Sequence, residues 1–132
     1  MKSDSGGVKG RSTGRLARSR DFDVAYRKGK SKASRYLVIY GFPRQDDDPA
    51  RIGISVSRKL GGAVARNRVK RVLREALGSF DAVLPAGFDF VAVARTDIGP
   101  LIENEGLDRV TDEVKQLLDS WLDSDTVKVD KA

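Results

Sequence analysis

Residues 63–78, AVARNRVKRVLREALG, constrain what this chain can fold into more than any other stretch. Ala65, Val69, Val72, Leu73 and Ala76 recur at the spacing of one helical face, the glycine pair Gly61 and Gly62 breaks the chain before them, and Gly78 ends the run. On a helix that advances about 100° per residue, Asn67, Arg71 and Arg74 fall opposite Val69 and Ala76, with Arg68 and Lys70 on the two borders. One stripe of such a helix must enter a core, and the other must face water or a polyanion. Seven cations (Arg58, Lys59, Arg66, Arg68, Lys70, Arg71 and Arg74) precede the first acid, Glu75. A charge run is ordinarily a solvated face, but solvated faces mix signs at four-residue spacing and this one does not.

The charge balance of the whole chain points the same way. The formal net charge is +6, and it is uneven: residues 1–100 carry 21 Lys and Arg against 10 Asp and Glu, residues 101–132 carry 4 against 9. A basic body concentrates polyanions around itself, and binding them releases counterions from phosphate, so nucleic acid is the leading partner class. There is no Cys and no His, which excludes disulfides, thiol nucleophiles, imidazole acid/base chemistry and the usual zinc sites. No apolar run approaches the roughly 18 residues that span a bilayer, and residues 1–18 lack a signal-peptide core. The expectation is a cytoplasmic protein with no membrane partner.

At 132 residues there is room for one domain. Residues 1–18 contain too few apolar side chains to offset their ordering entropy and are expected to form a flexible basic arm. Residues 19–28 suit a helix capped by Ser19, with Asp21 and Asp23 in its first turn and Gly29 as its stop. Residues 35–42 alternate as a strand, with Tyr36, Val38 and Tyr40 on one face and Leu37 and Ile39 on the other. Residues 51–57 alternate again after a polar turn containing Asp46, Asp47 and Asp48, so the two strands are expected to pair as an antiparallel hairpin. Residues 88–94 read as a buried central strand and residues 107–122 as a helix whose apolar positions include Trp121, expected against the sheet. The order helix, strands, helix, strand, helix predicts an α+β domain over residues 19–122, a small sheet packed by helices, followed by a polar tail at 123–132.

Several side chains suit single-stranded RNA as well as a core or a solvated surface. Phe22 and Tyr26 share a helix face and Tyr36 and Tyr40 a strand face; such rings stack on unpaired bases, and equally pack in cores. Ser55, Ser57, Arg58 and Lys59 end the second strand, where hydroxyls and cations can meet a backbone or simply line a polar face. Asn67 between Arg66 and Arg68 offers a donor and an acceptor beside two guanidinium forks, or is a surface residue. The glycines at 61 and 62 let backbone amides approach a phosphate at the positive helix end, or make a plain turn.

The segment RIGISVSRKLGGAVARNRVKRVLREAL, residues 51–77, resembles the signature of the bacterial ribonuclease P protein family, with the Arg66, Asn67, Arg68 triplet its most specific part. The resemblance extends through Phe22, Tyr26, Gly29, Arg35 and Tyr40 and through residues 88–95. It implies a compact α+β fold with a left-handed central crossover. It also implies a role as the protein subunit of a ribonucleoprotein endonuclease in which a large RNA, with Mg2+ acting mainly through that RNA, removes the 5′ leader of precursor tRNA. The protein alone is then inactive, with no catalytic residue, no metal ligand and no cofactor of its own. By position, Arg66, Asn67, Arg68, Lys70 and Arg71 match the motif that contacts the catalytic RNA, and Arg74 continues their stripe. Phe22, Tyr26, Tyr40, Ser55, Ser57, Arg58 and Lys59 match the cleft for the leader, with Tyr36 added as a neighbour of Tyr40. The implied partners are the catalytic RNA and precursor tRNA.

Two other classes compete. A protein-only nuclease needs clustered carboxylates for two metal ions, and Asp46 to Asp48 is the one cluster, in a turn that suits a solvated loop. A ribosome-associated RNA-binding protein of related fold satisfies the composition but not the context of Arg66 to Arg71.

Overall fold

The structure, a computed structural model, describes residues 14–131, with side chains described through residue 124. Strands β1 (Gly14–Arg15), β2 (Lys30–Ala33), β3 (Leu37–Pro43), β4 (Arg51–Ser55) and β5 (Phe88–Ala94) form one open mixed sheet in the spatial order β1-β4-β5-β3-β2. Helices α1 (Ser19–Lys28), α2 (Ala63–Gly78) and α3 (Ile98–Lys131) pack on it, and a 3-10 turn spans Arg58–Leu60. The domain is α+β, as the element order predicts.

The alternation of each strand decides what lies on either side of the sheet. Leu37, Ile39, Ile52, Ile54, Phe90, Ala92 and Ala94 form the floor of the main core, under Val69, Leu73, Ala76 and Leu77 of α2 and Val110, Val114, Leu117, Leu118 and Trp121 of α3. Burying each large aliphatic side chain here contributes about 1.5–3 kcal/mol. Trp121 is 1% exposed, and its Nε1 donates to the Lys30 carbonyl at 2.8 Å. Its ring lies so close over Gly41 that any Cβ there would overlap it. The opposite face carries a smaller cluster, Leu16, Ala25 and Val91, edged by half-buried Phe22, Tyr40, Phe42 and Val93. The helix on that side, α1, is short and leaves the face partly open.

The expected hairpin of residues 35–42 and 51–57 does not form. Strand β5 lies between them, antiparallel to β3, with Tyr40 opposite Val91, and parallel to β4, with Gly53 opposite Val91. A segment as apolar as FDFVAVA gains most where both faces are covered, and the centre of the sheet is that place. Parallel β4 and β5 are joined through α2, which is how a helix reaches the sheet's main face.

Other boundaries move too. The expected arm ends earlier: Gly14 and Leu16 donate to the carbonyls of Ala50 and Ile52 at 2.8 and 2.9 Å, β1 runs parallel to β4, and Leu16 is buried. Residues 1–13 of that arm lie outside the described residues. Arg18, not Ser19, occupies the N-cap of α1, with no side-chain cap bond. Gly29 ends α1 with its N–H on the Ala25 carbonyl, and a Cβ there would crowd both that oxygen and the Gly41 carbonyl. Ala65 is exposed, because the first turn of α2 projects beyond the core. Strand β2 and the first turns of α3 are additional to the expected elements. Helix α3 begins at Ile98 and is broken at Gly106, whose φ of 75° only glycine adopts without strain. It continues to Lys131, so the expected polar tail at 123–132 is helical through residue 131.

Candidate nucleic-acid interface

On the half-open face, α1 and β3 bring three of the expected rings together. Phe22 and Tyr26 meet edge to face at 6.4 Å, and Tyr26 and Tyr40 at 5.1 Å. Tyr26 is 36% exposed. Phe22 lies deeper, against Gly53: a Cβ at that position would come within 2.6 Å of the Phe22 ring. Glycine in β4 therefore sets the depth of the aromatic floor. Ser55, two residues beyond Gly53, points to the same face, opposite Val93. Ser57 lies past the strand, where its Oγ accepts from the Lys59 N–H at 3.3 Å and caps the 3-10 turn bearing exposed Arg58 and Lys59.

Tyr36 does not join them. Ser34 Oγ accepts from the N–H groups of Tyr36 and Leu37 at 3.1 and 3.4 Å, so the chain bends before β3 and Tyr36 falls out of the strand alternation. Its ring packs against the main core, between the guanidiniums of Arg35 and Arg109 at 5.8 and 5.6 Å.

On α2, Asn67, Arg68 and Arg71 are exposed, and Arg66, Lys70 and Arg74 are half-buried. Among the described residues no carboxylate pairs with Arg58, Lys59, Arg66, Lys70, Arg71 or Arg74. Arg66 Nε is enclosed without an acceptor. Arg68 is the exception, bridged to Glu103 of α3 at 2.5 Å, with both side chains more than half exposed. That pair spans a cleft of about 970 Å³ between the first turns of α2 and α3, bordered by Val64, Ala65, Pro100 and Ile102. Gly61 has its N–H on the Arg58 carbonyl at 3.1 Å and a φ of 126°. Its amide is thus used in the turn, and glycine is needed there for backbone conformation.

The β3–β4 arch is held by charges that sequence reasoning missed. Asp89, 3% exposed, accepts from Arg44 Nη1 at 2.7 Å and from Arg51 Nε and Nη2 at 2.8 and 2.7 Å. Arg44 also donates to Asp46 and to the carbonyls of Asp48, Pro49 and Phe88. Hydrogen bonding to Asp46 and the charges of Asp46 and Asp89 raise the Arg44 pKa against its partial burial; in return Arg44 holds the Asp46 carboxyl below its ordinary value. The single acid that interrupts the apolar run of β5 was the visible signal. Among the described residues no three carboxylates converge on a metal site.

Cations on one helix that, Arg68 apart, have no carboxylate partner among the described residues, and a half-open sheet face floored with rings, give this small α+β protein a surface whose charge suits a polyanion. The sequence pattern of the ribonuclease P family matches residues 11–121, and the chain belongs to that family. The ribonuclease P protein component of Bacillus cereus (strain B4264) is 41% identical over 81 residues, 61% of this chain and 70% of that relative. The Staphylococcus aureus RNase P protein superposes with a TM-score of 0.70 at 32% identity, over 80% of this chain and 92% of that one. The Thermotoga maritima RNase P protein gives 0.70 at 33%, over 77% and 92%. Membership brings a role in ribonuclease P and so in tRNA processing.

Proposed function

We propose that this protein is the subunit of ribonuclease P that binds the catalytic RNA through α2 and the 5′ leader of precursor tRNA across the half-open sheet face. The observation that carries the reading is the separation of two surfaces: cations on α2 that, Arg68 apart, have no carboxylate partner among the described residues, and the Phe22, Tyr26, Tyr40 floor on the other side of the sheet. Duplexed or folded RNA offers phosphates, which suit guanidinium forks, whereas a leader offers unstacked bases, which suit exposed rings. Arg66, Asn67, Arg68, Lys70, Arg71 and Arg74 hold the catalytic RNA. Ser55, Ser57, Arg58 and Lys59 take the leader backbone beside the rings. Tyr36 has no part in the leader cleft. The chain contains no Cys and no His, and no three of its described carboxylates converge on one site; in this reading Mg2+ acts through the RNA and the protein contributes substrate positioning in the cytoplasm.

Stacking on an exposed ring contributes about 1–3 kcal/mol per base. Replacing Tyr26 by Ala is therefore expected to weaken holoenzyme binding of precursor tRNA bearing a leader by roughly tenfold, with mature tRNA binding unchanged. Equal losses for both ligands at unaltered thermal stability overturn the leader assignment.

A further inference from the structure

The edge of the sheet where β1 meets the end of α2 holds a second concentration of positive charge. Arg15 stands opposite Ile52 in the parallel β1–β4 register, on the α2 side of the sheet. Arg74 lies one turn before the C-terminal end of α2, and the two arginines line one cleft of about 190 Å³ with Gly14, Ile52 and Gly78. Neither has a carboxylate partner among the described residues. Partial burial, and then the charge of Arg15, push the Arg74 guanidinium below its ordinary pKa. An arginine remains protonated even so, and the repulsion persists in the free protein. Gly78 leaves the mouth clear, since a Cβ there would meet nothing within 4 Å.

Two guanidiniums facing one small cleft, with no carboxylate partner among the described residues, form an incomplete anion site. A tetrahedral phosphate completes it, because its oxygens accept from both forks at once. We propose that Arg15 and Arg74 clamp a single RNA backbone phosphate at the β1 edge of the sheet. This rests on the RNA-binding reading and extends it to a strand that the helix motif does not include. Arg74 follows Arg71 by three residues and Lys70 by four, so an RNA backbone leaving the exposed face of α2 meets the clamp next. Arg74 belongs to the stripe assigned to the catalytic RNA, so the clamped phosphate is one of that RNA; a phosphate of the precursor offers the same chemistry and is separated by the test.

The test compares Arg15→Gln, Arg74→Gln, the double variant and Arg74→Lys, with Arg66→Ala as a control for the reading itself. Each is titrated with ribonuclease P RNA and, as assembled holoenzyme, with precursor tRNA, and the melting temperature of each free protein is recorded. A shared phosphate predicts that either Gln variant loses roughly tenfold in affinity for ribonuclease P RNA; a loss confined to precursor tRNA overturns the assignment to that RNA. The double variant loses far less than the product of the singles, and Arg74→Lys falls between wild type and Arg74→Gln. Removing the repulsion predicts that Arg15→Gln melts no lower than wild type. Unchanged affinity of Arg15→Gln for both RNAs, multiplicative losses, or a loss tracking a lower melting temperature overturns the clamp while the Arg66→Ala loss keeps the wider reading. Normal binding by Arg66→Ala as well overturns both.

Discussion

Among the described residues, Arg68 is the one cation of the Arg66 to Arg71 group that a carboxylate already neutralises. Its partner Glu103 lies 35 positions away and meets it because α2 and α3 pack side by side on the sheet. No helical periodicity reveals such a pair, whereas the cationic stripe itself was plain from spacing within one helix. An ion pair this exposed contributes at most about 1 kcal/mol, so a phosphate can displace the carboxylate at little cost. In the proposed role, Glu103 is an intramolecular competitor for RNA at Arg68. Glu103→Gln is expected to tighten binding of the catalytic RNA by up to about fivefold. Arg68→Ala is expected to weaken it and to reduce the slope of log affinity against log salt by about 1. One salt titration of both variants checks this, and weaker binding by Glu103→Gln contradicts it.

At the scale of elements, what the sequence showed was what periodicity within a segment determines. Helix α2 lies at Ala63–Gly78 because its apolar stripe is unbroken, and β5 is central because its residues are apolar on both faces. Pairing was not legible: the hairpin expectation assumed that consecutive strands are neighbours, and the polar β2, KSKA, gives no alternating signal. Tyr36 was misplaced because strand alternation was extended through a Ser34 turn. The first part of α3 was hidden by Gly99, Pro100 and Gly106, although proline in a first helical turn removes no bond that the helix would make. The β3–β4 arch likewise reads as a solvated acidic loop, yet Arg44 ties it to Asp89. Asp46 has a folded pKa below its unfolded value because Arg44 donates to it. It therefore contributes stability that is present above about pH 4 and is lost as pH falls through the lowered folded value. Thermal unfolding followed from pH 7 to pH 3 is expected to show a steeper acid loss for wild type than for Asp46→Asn. Parallel curves contradict the Arg44–Asp46 pairing in the arch.

The whole molecule sorts its chemistry onto separate surfaces. The main face of the sheet is closed by α2 and α3, the other is left half open by α1, and cations that, Arg68 apart, have no acidic partner among the described residues run along α2 towards the β1 edge. Acidic residues gather on α3 instead, where Arg109 pairs with Glu105 and Glu113, and Lys115 with Asp119. That division suits the proposed role, in which the protein supplies phosphate screening and substrate positioning to an RNA catalyst. The direct measurement is leader removal from precursor tRNA by a bacterial ribonuclease P RNA at low magnesium, with and without the protein, alongside rigorously RNA-free protein. The account predicts cleavage when protein and RNA are combined, little with RNA alone, and none with protein alone. Cleavage by the RNA-free protein that disappears on carboxylate substitution, or no stimulation of the RNA at any magnesium concentration, would contradict it.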